Sequence, residues 1–256
     1  MRRILIVGNW KMHKTASEAA DLVHRLSALV PTIVGVDVIL APPFTALHAV
    51  AQALPKSSPF TLAAQNLHWE DRGAFTGEVS APMLKELGCR SVIVGHSERR
   101  RLFKESDADI NQKVRAALRH SLQPILCLGE TSPEREAGRT EEVVTGQLLE
   151  GLTGTSKDEL LKVTLSYEPV WAIGSGHPAS PGQVTLVHEQ LRAVVAREWG
   201  SEGAQAIRIL YGGSVSTTNI SGILAAPQVD GALVGGACLD PQSFATIIRL
   251  AQATVR

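Results

Sequence analysis

The sequence predicts an α/β fold, a closed (β/α)8 barrel, and three observations predict it. Eight short apolar runs recur along 256 residues, amphipathic helical patterns with recognisable starts stand between most of them, and the repeat is roughly thirty residues. The runs are continuously apolar, as strands buried on both faces of a parallel sheet are. Eight such units in about 250 residues favour closure over an open sheet. The competing doubly wound sheet usually carries a glycine fingerprint after its first strand; Asn9, Trp10 and Lys11 stand there instead. No linker or low-complexity segment divides the chain, so residues 1–256 read as a single domain.

In chain order, ILIV at 4–7 opens the series, and Thr15 with Glu18 forms a capping box ahead of Ala19, Ala20, Val23 and Leu26. VDVIL at 36–40, FTLAA at 60–64 and SVIV at 91–94 are the next three runs. Ser106 with Asp109 makes a second capping box before Ile110, Val114 and Leu118. PILCL at 124–128 and VTLS at 163–166 follow, and the glycines and serine at 151–156 read as a loop inside the domain. Ser180 and then Pro181, a proline at the first helical position, precede Val184, Val187, Leu191 and Val194. IRIL at 207–210 and GALV at 231–234 complete the strands, and Asp240-Pro241 starts the last helix before Phe244, Ile247 and Ile248.

Composition narrows the function. Acidic and basic residues number 25 each and the isoelectric point is about 7.1. No basic patch or Lys/Arg-rich amphipathic stretch marks a nucleic-acid or membrane surface. No span of about 18 apolar residues exists. Arg2 and Arg3 precede the first run, but Asn9 and Lys11 break it too early for the core of a signal peptide. Cys89, Cys127 and Cys238 are odd in number and far apart, with no CxxC pair, which speaks against a disulfide framework or a zinc site and for a reducing, cytoplasmic setting.

In a closed barrel the residues that follow the strands gather on one rim, where barrel active sites lie. Here they are Asn9 and Lys11; Gln65 and Asn66; His96, Ser97 and Glu98; Glu130; Glu168; Tyr211 and Ser214; Gly235 and Gly236. Singly each reads equally well as a cap or a turn. A base, a histidine and a lysine aimed at one space read as an active site. Glu168 ends the sixth strand beside an apolar flap, Val170 to Ile173, set between Pro169 and the glycines Gly174 and Gly176. A cover of this kind would dry the carboxylate and raise its basicity, so Glu168 is the candidate catalytic base; a solvated strand-end glutamate is the alternative. His96 precedes the first turn of a helix, whose N-terminus disfavours an imidazolium, leaving a neutral donor and proton shuttle. Lys11 supplies positive charge for an oxyanion or phosphate and Asn9 an amide donor. Gly174, Gly212-Gly213-Ser214 and Gly235-Gly236 offer unobstructed backbone N–H groups for a phosphate, and two of these groups follow the seventh and eighth strands, where barrel phosphate sites occur.

Taken in order, Asn9-Trp10-Lys11, Ala64-Gln65-Asn66, the GHSERR stretch at 95–100, CLGE at 127–130, YEPVWAIG at 167–174, YGGSV at 211–215 and Gly235-Gly236 resemble the triosephosphate isomerase family along the whole chain. The resemblance implies interconversion of dihydroxyacetone phosphate and D-glyceraldehyde 3-phosphate through an enediolate, in glycolysis and gluconeogenesis. It implies Glu168 as base, His96 as electrophile and shuttle, Lys11 and Asn9 as enediolate stabilisers, and Gly174, Ser214, Gly235 and Gly236 on the phosphate. It implies no cofactor and no metal, because the same groups can return the proton. The acid–base pattern and the closing loop are features of this family, so both assignments are inherited with the resemblance. The family pattern has Thr where this chain has Ser175 and often Lys where it has His177; the serine keeps the hydroxyl, and His177 bears on loop opening.

Residues 68–80, HWEDRGAFTGEVS, open on His68, close on Ser80 and follow no secondary-structure period; a long loop of this kind is usually functional. By resemblance it reaches a second subunit with Thr76 at its tip, which implies a homodimer. Glu98 and Glu130 read as orienting groups, with proton transfer also open to Glu98. Cys127, Tyr167 and Tyr211 read as packing or latching groups, and Arg99 to Arg101 as helix surface with one buried ion pair. Two other functions fit the scaffold. A Schiff-base aldolase needs a lysine inside the rim, whereas Lys162 precedes the sixth strand. A non-catalytic phosphate-binding barrel would have lost Lys11, His96 or Glu168, and all three are present.

Overall fold

The structure, a computed structural model, describes residues 2–174 and 178–255. Eight strands, β1 (Ile4–Asn9), β2 (Val36–Ala41), β3 (Phe60–Ala64), β4 (Cys89–Val94), β5 (Gln123–Leu128), β6 (Thr164–Tyr167), β7 (Arg208–Tyr211) and β8 (Gly231–Val234), pair in sequence order. All pairs are parallel, and Leu5 opposite Gly231 joins β1 to β8 and closes the barrel. Among the described residues no helix is long and apolar enough to cross a membrane.

Why the strands read as unbroken apolar runs follows from where alternate side chains go. Leu5, Val7, Ile39, Ala63, Ile93, Ile125, Leu210 and Leu233 fill the barrel interior. Their neighbours Ile6, Val38, Leu40, Val92 and Val94 point outward under the helices. Successive strand side chains face opposite sides, and both sides are dry here. Each fully buried Leu or Ile contributes about 1.5–3 kcal/mol relative to exposure, so a polar residue on either face is costly.

The four helix starts read from the sequence are formed. Glu18 accepts the Thr15 N–H at 2.8 Å before helix Ala16–Leu29, and Ser106 accepts the Asp109 N–H at 3.2 Å before Asp107–Arg119. Ser180 accepts the Gln183 N–H at 3.3 Å before Pro181–Trp199, and Asp240 accepts the Ser243 N–H at 2.8 Å before Pro241–Ala253. Two strands begin one residue later than their apolar runs. The Val163 and Ile207 N–H groups are taken by Leu160 O and Gly203 O, so both residues belong to the turns leaving the preceding helices. The segment read as a loop at 151–156 holds the last residue of helix Thr140–Gly151 and the Ser156 cap of helix Lys157–Leu160.

Candidate active site

A cavity of about 300 Å³ opens at the C-terminal rim of the barrel, and Asn9, Lys11, His96, Gly174, Ser214, Gly235 and Gly236 line it. Seven of the eight candidate residues therefore share one space. The eighth, Glu168, is 1 % exposed and stands behind His96 instead of on the wall. Ser175, Gly176 and His177, the far end of the flap, lie outside the described residues.

Lys11 is placed by backbone as much as by side chain. After β1 the chain turns so that Lys11 takes a φ of 52°, a left-handed conformation that costs a non-glycine residue roughly 1–2 kcal/mol. Its N–H donates to Asn9 Oδ1 at 3.0 Å and its Nζ meets Glu98 Oε1 at 2.6 Å. Burial is the largest influence on the Glu98 carboxyl and raises it, but the hydrogen bond from Lys11 and the positive charge around the group together outweigh burial and hold it below the usual carboxylate range. Glu98 thus serves as counter-ion to Lys11, the orienting role read for it.

His96 ends the turn after β4 and caps helix Ser97–Phe103, its Nδ1 accepting the Glu98 N–H at 3.3 Å. A ring nitrogen that accepts carries no proton, so this imidazole is neutral and its proton is on Nε2. Nε2 is 3.2 Å from Glu168 Oε1, and Glu168 Oε2 accepts the Ser97 N–H at 2.8 Å. One short helix N-terminus thereby orients both groups, the imidazole through Glu98 N and the carboxylate through Ser97 N. Beneath them, burial and the neighbouring Glu168 charge push the Cys127 thiol well above its ordinary range, so it is a packed, protonated group.

Close packing forces two glycines around Glu168. A Cβ on Gly129 would lie 1.8 Å from the Glu168 carbonyl oxygen, and one on Gly212 would lie 2.7 Å from Glu168 Cγ. The same Gly212 N–H donates to Tyr167 O at 2.7 Å, which ties the glycine turn after β7 to the end of β6. Together with Gly235 and Gly236 after β8, this brings backbone N–H groups and the Lys11 ammonium to one side of the cavity, a setting for a dianion.

Other rim residues go elsewhere. Glu130 is fully buried off the cavity, and its Oε1 accepts from Trp171 Nε1 at 2.8 Å, Tyr167 Oη at 3.1 Å and Arg135 Nη1 at 3.3 Å. Burial and the Glu130 charge push the Tyr167 phenol up, so it stays a donor. Arg135 also lies 4.1 Å from the Trp171 ring centre, so Glu130 and Arg135 hold the start of the flap, a task that sequence signals only through the co-occurrence of Glu130, Tyr167 and Trp171. Tyr211 latches the far side, its Oη accepting the Ala179 N–H at 3.2 Å. Asn66 is buried and accepts from Lys113 Nζ at 2.9 Å. Gln65 reaches under the cavity to the backbone of Lys11. The arginine run makes two ion pairs where one was expected, Arg99 with Glu105 at 2.6 Å and Arg100 with Asp107 at 2.5 Å, because a second acid arrives from the turn and helix that follow. Among the described residues no cluster of three His, Cys, Asp or Glu side chains is arranged to hold a metal ion.

The family model described as triosephosphate isomerase matches residues 4–251. The chain is 52 % identical to the triosephosphate isomerase of Chloroflexus aurantiacus over 97 % of its length and 99 % of the relative. It is 52 % identical to that of Moorella thermoacetica, covering 98 % of this chain and 100 % of the relative. The enzyme of that name from Geotalea uraniireducens is 49 % identical, with 98 % and 100 % covered.

Proposed function

This chain belongs to the triosephosphate isomerase family, and on that premise we propose that Glu168, His96, Lys11 and Asn9 carry out its reaction. The reaction is the aldose–ketose interconversion of dihydroxyacetone phosphate and D-glyceraldehyde 3-phosphate, a step of glycolysis. Glu168 takes a proton from the carbon beside the carbonyl, the C–H electron pair becomes the enediolate double bond, and negative charge moves onto the carbonyl oxygen. His96 Nε2–H donates to that oxygen and shuttles the proton between the two oxygens. Lys11 and Asn9 stabilise the oxyanion. Glu168 then returns its proton to the neighbouring carbon. The phosphate lies against Gly174, Ser214, Gly235 and Gly236, and the apolar cover at 170–173 excludes water, which would favour loss of phosphate from the enediolate.

The observation that supports this reading most is the contact of His96 Nε2 with Glu168 at 3.2 Å beside a cavity that Lys11 also lines. Its test is incubation with dihydroxyacetone phosphate in deuterium oxide. Isomerisation with carbon-bound deuterium in the product is expected from the wild type and is lost in Glu168→Gln. Undiminished exchange in that variant removes Glu168 from the mechanism.

The chain is further read as a single domain, acting in the cytoplasm as a homodimer through residues 68–80. Supporting the dimer, Met12, next to Lys11, is 92 % exposed, and Phe75 near the loop tip is exposed as well. The two ends of the loop meet, His68 donating its N–H to Val79 O at 2.8 Å, which projects the tip from the barrel. Sedimentation at micromolar concentration is expected to give twice the chain mass, and Met12→Arg to give the monomer; a monomeric wild type sinks the reading.

A further inference from the structure

Lys11 combines a strained backbone with a demanding position, and Asn9 restrains only its N–H side. What restrains its carbonyl is Gln65, whose Nε2 donates to Lys11 O at 2.9 Å and to Ala41 O at 2.8 Å. Both neighbours are carbonyl acceptors, so only the amide NH2 can face them, and its two hydrogens are both used. Ala41 O, the last acceptor of β2, also receives the Trp10 N–H at 3.1 Å. The Trp10 N–H directly, and the Lys11 carbonyl through the Gln65 carboxamide, are thus tied to a single strand end. Gln65 is not part of the cavity wall.

We propose that Gln65 is a positioning residue of the isomerase: its carboxamide, bridging Lys11 O and Ala41 O, holds Lys11 in the left-handed conformation that delivers its ammonium to the cavity. The physical ground is that a left-handed lysine relaxes to a right-handed or extended backbone once its restraints are removed. Such a flip swings Cβ, and the ammonium at the end of a four-carbon stem moves by more than the roughly 1 Å that already costs about a hundredfold in a positioned site. The inference rests on the role given to Lys11 above.

The test is a double-mutant cycle in the full-length protein with Gln65→Met, which keeps length and loses both donors, and Lys11→Met. The readouts are kcat/KM and the affinity for 2-phosphoglycolate, a planar carboxylate bearing a phosphate. Gln65→Met in the wild-type background is expected to lower both by about ten- to a hundredfold. In the Lys11→Met background the same substitution is expected to change the 2-phosphoglycolate affinity by less than about twofold, because there is no ammonium left to misplace. Gln65→Glu keeps the volume and sets a carboxylate against two carbonyls, and it is expected to lose at least as much. Equal losses in both backgrounds, or wild-type kinetics in a folded Gln65→Met or Gln65→Glu protein, overturn the proposal. Absence of isomerase activity in the wild type would instead overturn the proposed function, so the two failures are separable.

Discussion

Glu168 accepts the backbone N–H of Ser97 at 2.8 Å, and Ser97 is the first residue of the helix that His96 caps. The carboxylate is therefore parked through Oε2 on a helix N-terminus beside the cavity, while Oε1, 3.2 Å from His96 Nε2, is buried without a hydrogen-bond partner. Its reach across the remaining gap depends on side-chain length. Glu168→Asp, shorter by one methylene, is expected to lower kcat by on the order of a hundredfold while KM changes little. Steady-state kinetics in both directions check this; an unchanged kcat contradicts a base at this position.

Gly212 bounds the space that Glu168 occupies. Because an added Cβ would meet Glu168 Cγ at 2.7 Å and Ser166 Oγ at 2.8 Å, Gly212→Ala is expected to displace the carboxylate and lower kcat by about tenfold or more. Steady-state kinetics check this; a wild-type kcat in folded Gly212→Ala contradicts the packing argument.

Lys11→Met removes the positive charge of the cavity without removing the stem. It is expected to raise KM and lower kcat together, each by more than about tenfold, because a dianionic substrate and an enediolate both need that charge. Glu98→Gln leaves the charge and loses only a half-exposed partner, so the expected loss is severalfold. A wild-type KM in Lys11→Met would refute the charge assignment.

Glu130→Ala would leave the Tyr167 hydroxyl, the Trp171 indole N–H and the Arg135 guanidinium without their common acceptor. Removing one member of a buried, charged network costs about 3–5 kcal/mol, to be read as a lower urea midpoint, and kcat should fall with it as the start of the flap loosens. Glu130→Gln keeps an acceptor oxygen and is expected to lose about 1–2 kcal/mol. Equal stability of all three proteins would remove Glu130 as an anchor.

His188 is fully buried in helix Pro181–Trp199, with Nδ1 3.1 Å from Gln228 O, and burial pushes it down to about 4. In the unfolded chain a histidine titrates near 6.5, so between 6.5 and 4 the unfolded state binds the extra proton and stability falls with falling pH. The full drop is about 3 kcal/mol at the bottom of that window. Urea midpoints from pH 7 to 4.5 are expected to decline more steeply for the wild type than for His188→Phe; parallel curves would contradict the assignment.

From the sequence alone came the closed (β/α)8 barrel, the four capped helix starts and the set Asn9, Lys11, His96, Glu168, Gly174, Ser214, Gly235 and Gly236, seven of which line one cavity. These were legible because periodicity, capping chemistry and strand ends are local properties, and a closed parallel barrel collects its strand ends on one rim. Tertiary structure alone decided what the other rim residues do. Gln65 turns under Lys11, Asn66 turns to Lys113 and Glu130 turns away from the cavity to Trp171, although all three also follow strands. A strand end fixes where a Cα stands, whereas the direction of its side chain depends on the turn conformation and on partners tens of residues distant. Lys11 needed both kinds of information: its charge and place are written locally, and its left-handed backbone is met by Asn9 beside it and by Gln65, which links it to the end of β2.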